Sequence, residues 1–292
     1  MPNHRNPAPV SGWINGFIGV AIFSGSLPAT RIAVLEFDPF FLTFCRAAIA
    51  GILALGLAWF LRLPRPRAGQ WRSLVLVAAG VVIGFPLLTA LALQRVTSAH
   101  SIVFLGLLPL ATAIFAVIRG GERPRPAFWG FSLLGSLLVV SFALVGNAMM
   151  SVSGDLLMLA AVVVCGLGYA EGARLTRELG GLAVISWALI LSLPLMLVAS
   201  GLTRPASVSD ISPAAWGALA YVSLFSMLIG FIFWYQGLAA GGIAAVGQLQ
   251  LLQPFLGLCL AALLLHEAVS LFMIAVTLGI ILCVVGSKRF AH

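Results

Sequence analysis

Polar residues interrupt this chain rarely. Between the interruptions lie apolar runs that recur along the whole length, each near the roughly 20 residues that cross about 30 Å of hydrocarbon. The runs are continuous rather than alternating, which predicts helices: lipid leaves only helices or closed barrels, and a barrel strand alternates. The pattern predicts ten spans, at 13–35, 39–61, 71–93, 99–118, 127–145, 154–173, 182–202, 213–235, 244–265 and 271–285. The connections are short and marked by Pro, Gly and Arg, as in LRLPRPRAGQW, RGGERPRP and LAAGGIAA. The first run is interrupted by Asn15 and several glycines and continues to Leu35, which predicts an uncleaved span rather than a signal peptide.

Composition agrees with this reading. Hydrophobic residues make up 61% and charged residues 8%, with a mean hydropathy of +1.12, far from the balance of a soluble domain. The net charge of +8 is spread over loops. If the termini share a side, that side collects Arg5, Arg62, Arg65, Arg67, Arg72, Arg119, Arg123, Arg125, Arg174, Arg177, Lys288 and Arg289. The other side takes Arg31, Arg95 and Arg204, and Arg46 lies inside a span. The positive-inside rule then predicts both termini in the cytoplasm. Arginines dispersed in this way form no basic domain, which argues against nucleic acid as a partner. Cys45, Cys165, Cys259 and Cys283 all fall in predicted spans without metal-ligand spacing, so they are expected to be packing residues.

An internal repeat organises the spans. Setting Pro109 of FLGLLPLATAIFAVIRGGE on Pro254 of QLLQPFLGLCLAALLLHE puts Glu122 opposite Glu267, each at the same distance after its proline. Both blocks continue into a short polar turn and a span holding a glycine, Gly135 or Gly279. The fourth span thus matches the ninth, and the fifth the tenth. An offset of five spans, an odd number, makes the copies enter the membrane from opposite sides, an inverted repeat of the kind found in secondary transporters. The predicted fold class is an all-α integral membrane protein of ten transmembrane helices in two inverted five-helix halves, 1–147 and 148–292.

Two five-span halves, each closing on a Pro-containing helix, a Gly-Glu or His-Glu turn and a glycine-bearing helix, resemble the EamA family of the drug/metabolite transporter superfamily. PFFLTFCRA, with Arg46 following Pro39, resembles that family's second helix. Within the family the chain looks most similar to YddG-type exporters, which pass amino acids, aromatic ones especially, out of the bacterial cell. The resemblance implies a multi-pass inner-membrane exporter of small metabolites, foremost neutral and aromatic amino acids, working by alternating access. Multidrug or other metabolite export is the alternative within the fold. The second half departs from the family pattern, with Trp187 near the place of an arginine.

The polar and aromatic residues within spans supply the site candidates. Gln248, Gln250 and Gln253 interrupt an apolar run. At about 100° per residue Gln250 and Gln253 share a face and Gln248 points elsewhere. Amides facing inward serve either as glue between helices or as neutral contacts for a zwitterion. Trp187, Tyr169, Trp234 and Tyr235 are candidate stacking surfaces, with packing as the plainer reading. Arg46 stands about 10 Å into its helix, and its guanidinium is expected to snorkel outward toward Glu36 and Asp38, with gating or guidance of a substrate carboxylate as the alternative. Glu171 precedes Arg174 by one helical turn, which predicts an interfacial ion pair; an amine-binding or protonation role is the alternative. His100 reads as a surface or packing residue rather than a proton carrier. Pro109 and Pro254, like Pro28, Pro86 and Pro194, are candidate bending points.

No H-E-x-x-H, G-x-S-x-G or paired-aspartate cluster points to an enzyme, and no G-x-x-x-x-G-K-[ST] loop points to ATP. No cofactor, metal or obligatory protein partner is implied. The expected partners are a small-molecule substrate and the bilayer. Every acidic residue maps near a span end, so the sequence gives obligatory proton coupling no support, and a channel built from the same halves remains the rival mode.

Overall fold

Caps and turn residues set the helix ends. The Asp38 carboxylate accepts from the N–H groups of Phe40 (2.9 Å) and Phe41 (3.2 Å) with Pro39 in the first turn, satisfying donors that a helix start leaves free. Ser151 and Ser212 cap two further helices. Gly121, at φ 67°, ends another in the left-handed conformation that glycine adopts without strain.

The computed structural model describes residues 10–145, 151–207, 209–253, 255–257, 259–260 and 271–291, and every regular element among them is helical. In chain order these are α1 (Val10–Val34), α2 (Pro39–Phe60), α3 (Ala68–Leu93), α4 (Ser98–Leu105), α5 (Leu108–Gly120), α6 (Pro126–Val145), α7 (Val152–Leu179), α8 (Gly181–Leu202), α9 (Pro213–Gly241), α10 (Ile243–Gly247) and α11 (Leu271–Phe290). Of these, α1, α2, α3, α7, α8 and α9 are long and apolar enough to cross a membrane. Large apolar side chains such as Ile52, Leu195, Val198 and Leu282 remain exposed on the outside of the bundle, a face that hydrocarbon covers without penalty.

Two expected spans are broken. The run 99–118 divides into α4 and α5, and Pro109 sits in the first turn of α5. There it begins a helix instead of bending one, because the first turn needs no N–H donor. The run 244–265 begins as α10 and tightens into a 3₁₀ turn, Gln248–Leu252. Pro254 and Glu267 lie outside the described residues. Pro194 lies well inside α8, and by the ranges above Pro28 and Pro86 lie within α1 and α3.

The packing pairs helices from opposite ends of the sequence: α1 on α9, α3 on α7, α2 on α8 and α6 on α11. Exchanging the first half of the chain for the second turns this set of pairs into itself. Glycines bring two of the pairs into backbone contact. A Cβ on Gly237 of α9 would lie 2.5 Å from the Gly16 nitrogen of α1, and one on Gly80 of α3 would lie 2.6 Å from the Val164 oxygen of α7, the close approach that small residues allow in membranes. Both α3 and α9 contain a π-helical stretch, Ala78–Gly84 and Val222–Ile229. The offset that sets Pro109 on Pro254 also sets residues 78–84 within the second stretch.

Candidate functional site

Helices α1, α2, α3, α7 and α9, with Gln253 following the 3₁₀ turn, enclose a cavity of about 20 Å³, room for one or two water molecules. One part of its wall is aromatic: Phe23, Phe85, Tyr169 and Phe231. Another is polar, formed by the hydroxyls of Ser26, Thr30, Thr89 and Ser226, the Gln253 amide and the Arg46 guanidinium. Both π-helical stretches contribute to it, through Val81 and Ser226. A π turn aims side chains and carbonyls out of the regular helical register and often marks a functional position.

Arg46 departs from the sequence expectation. Instead of snorkelling toward Glu36 and Asp38 it is buried, at 5% exposure. Its Nη2 donates to the Ser226 hydroxyl at 3.3 Å, which also accepts from Ser26 at 2.7 Å. Among the described residues its Nε has no hydrogen-bond partner and no carboxylate lines the cavity. The two acids that the sequence offered are engaged elsewhere. Asp38 caps α2, and Glu36 accepts from the Ser212 N–H (2.6 Å) and hydroxyl (2.5 Å). Those hydrogen bonds, the side-chain one foremost, hold the Glu36 carboxyl below its ordinary pKa.

The three glutamines are all buried and face three different neighbours. Gln253 donates to the Phe23 carbonyl at 3.4 Å and lines the cavity, its Oε1 unpartnered. Gln250 accepts from Thr112 of α5 at 3.5 Å, and Gln248 donates to Ser132 of α6 at 3.2 Å. Gln250 and Gln253 do not share the cavity: Gln253 lines it, whereas Gln250 is taken up by Thr112 of α5.

At the cavity's edge toward the arginine-rich end, the rings close ranks. Phe23 meets Phe231 with centroids 5.0 Å apart, and Tyr169 meets Trp234 at 5.4 Å. Tyr235 packs on Phe231 and donates to the Gly168 carbonyl. Tyr169 reaches the cavity, whereas Trp234 and Tyr235 are fully buried behind it. Further along lies an ion cluster. Glu171, with 0% of its side chain exposed, accepts from Arg119 at 2.8 Å and Arg174 at 2.6 Å, and Arg174 also donates to Ser73 of α3. The predicted Arg174 pair exists, but the carboxylate is buried and ties α7 to α5. Nearby, Glu122 accepts from Arg177 and from the N–H groups of Ile243 and Ala244, so it caps α10.

Trp187 stands apart from the cavity. Its Nε1 donates to the Pro64 carbonyl at 2.8 Å and its ring meets Trp71 edge-on, so it holds the α2–α3 connection against α8. The side chain of His100 lies outside the described residues. Sequence reasoning missed Ser226, Phe23, Thr30 and Thr89 as cavity residues and Arg119 as a partner of Glu171. A hydroxyl in an apolar run carries no signal of its own, and Arg119 read as one of many loop charges.

The chain matches the EamA-like transporter family over residues 10–145 and again over 152–287. It therefore belongs to that family. Two EamA repeats account for the exchange-symmetric helix pairing and for the matching π turns. Its relatives include "Uncharacterized transporter YdeK" of Bacillus subtilis (strain 168), 66% identical over 281 residues and covering 96% of this chain and 98% of that one. "WAT1-related protein At3g02690, chloroplastic" of Arabidopsis thaliana is 26% identical over 243 residues, 80% of this chain and 58% of that one. A solved crystal structure shares the fold with a TM-score of 0.78 at 21% identity, covering 97% of this chain and 98% of that chain. The protein is thus a multi-pass membrane protein of a transporter family.

Proposed function

We propose that this EamA-family protein exports small metabolites, foremost neutral and aromatic amino acids, across the inner membrane of a bacterial cell. Its ten spans form two inverted halves, 1–147 and 148–292, with both termini in the cytoplasm, and the halves close alternately around the cavity. The observation that carries this reading is the cavity itself: helices of both repeats build it, and it sets aromatic rings beside a guanidinium and an amide. A zwitterion with an apolar side chain has matching groups for each. The cavity is too small to hold such a substrate as described, so binding requires it to widen; toward the arginine-rich end the aromatic cluster and the Glu171 ion cluster lie across the path. Rocking of the two halves is the movement that would widen it.

Counterflow into liposomes tests the proposal. Vesicles holding the purified protein are loaded with one unlabelled amino acid and offered trace labelled Phe, Trp, Met, Thr or Glu, with no pH gradient. Saturable uptake of the apolar and aromatic labels but not of Glu is the expected result. Absence of uptake by folded protein rules out amino acids, and unsaturable flux points to a channel.

A further inference from the structure

The guanidinium of Arg46 is a buried cation without a counter-ion among the described residues. It has one neutral hydroxyl partner at 3.3 Å, an unpartnered Nε and a position on the cavity wall. Buried charges are ordinarily paired, because an isolated one forfeits its hydration. Here Glu36 and Asp38 are held by Ser212 and by the α2 backbone, so neither is available. Among the described residues no lining carboxylate offers an ammonium group an ion pair; the acceptors are neutral, the Oε1 of Gln253 and the lining hydroxyls. The charge asymmetry of the site is therefore one fixed donor fork for an anion and neutral acceptors alone for a cation.

We propose that Arg46 is the anchor for the carboxylate of the transported molecule, and that the site selects monocarboxylates with an apolar or aromatic body whether or not they carry an amine. A planar guanidinium takes a carboxylate through two parallel N–H···O bonds. The rings of Phe23, Tyr169 and Phe231 take the body. Amino acids then form a subset of the ligands, and the amine of an amino acid adds only hydrogen bonds to neutral groups such as Gln253. The proposal rests on the transporter reading for what the site is used for and for the widening that admits a ligand larger than the cavity as described.

Ligand-induced thermal stabilisation of the purified full-length protein in detergent is the test, with L-phenylalanine, phenylpyruvate, L-phenylalanine amide and phenethylamine as probes. The two carboxylates are expected to bind within about tenfold of each other. The amide and the amine are expected to bind at least about hundredfold more weakly, about 2.8 kcal/mol. Arg46→Gln removes binding of both carboxylates, and Arg46→Lys, which keeps the charge without the fork, restores part of it. Equal binding of the amide, preference for the amine, no binding of either carboxylate, or equal protection by chloride alone overturns the assignment. Because the four probes are compared on the unaltered protein, a variant that fails to fold leaves the test intact. Carboxylate binding without counterflow sinks the transport reading alone. Counterflow of phenylalanine with an unchanged KM in folded Arg46→Gln sinks the anchor alone.

Discussion

The Glu171 carboxylate, wholly buried on α7, takes the guanidinium of Arg119 from α5 at 2.8 Å, and so ties the first repeat to the second at the arginine-rich end of the bundle. Arg174 completes the cluster at 2.6 Å. Replacing Glu171 by Gln removes the negative charge that both arginines share. Because the arginines are about 40% exposed, water relieves part of the loss, and the expected destabilisation is about 1–3 kcal/mol. It is read as a lowered unfolding midpoint in detergent, together with faster labelling of a cysteine placed at Ser73. An unchanged midpoint and unchanged labelling would mean that the cluster does not hold this end closed.

At the opposite end Glu36 clamps Ser212, joining the α1–α2 turn to the start of α9. Its carboxyl titrates below the ordinary carboxylate value in the folded protein. The stabilisation is therefore complete above the unfolded pKa and disappears as pH falls through the lower folded value. Between neutral pH and about pH 5 the clamp should contribute evenly, and below that the unfolding midpoint of the native protein should fall more steeply than that of Glu36→Gln. Parallel pH curves for the two proteins would remove the clamp from the account.

Gln253 and Gln250 are separated by one turn and differ in surroundings, so their substitutions should part company. Gln253→Leu takes an amide from the cavity wall and should raise the KM for counterflow several-fold with little change in stability. Gln250→Leu leaves Thr112 without a partner inside the bundle and should lower stability by about 1 kcal/mol with KM unchanged. Trp187→Phe, which loses only the bond to Pro64, should leave KM where it was. A KM change in the Gln250 or Trp187 variant would contradict the cavity as drawn.

Glycine contacts between the paired helices are a third kind of target. Gly237→Ala and Gly80→Ala each force a Cβ against backbone that cannot move aside, 2.5 Å from the Gly16 nitrogen and 2.6 Å from the Val164 oxygen. Each is expected to cost about 1–3 kcal/mol through overpacking, seen as less monodisperse protein and a lower midpoint. Gly56→Ala and Gly201→Ala, with open space around the added carbon, serve as controls and should behave as the native protein.

Much of the site's cast could be named from the sequence, though not its roles. Arg46, Tyr169 and Gln253 stood out as polar or aromatic interruptions of apolar runs, and all three meet in the cavity. Trp187 stood out by the same rule and packs on a loop instead, because a rare residue in a span advertises a partner without saying which one. The Glu171–Arg174 pair was legible from helical spacing, since partners one turn apart are fixed by the helix itself. Arg119 was not, since it arrives from a helix more than fifty residues earlier in the chain.

The sequence alone determines that this chain lives in lipid as a set of apolar helices, that it repeats itself, and where most of its spans begin, although their far ends differ by more than a turn in α7, α9 and α11 and one run is split into α4 and α5. Hydrophobic run length, cap residues and proline spacing are local properties, and a membrane leaves the backbone few other choices. Only the tertiary structure decides that Arg46 turns inward to a cavity while Glu36 and Asp38 turn away from it, that the glutamines part to three neighbours, and that two π turns face one another's repeats. These outcomes depend on which helices touch. Contact between helices is set by glycine-to-backbone approach and by hydrogen bonds between residues far apart in the chain, which no periodicity encodes.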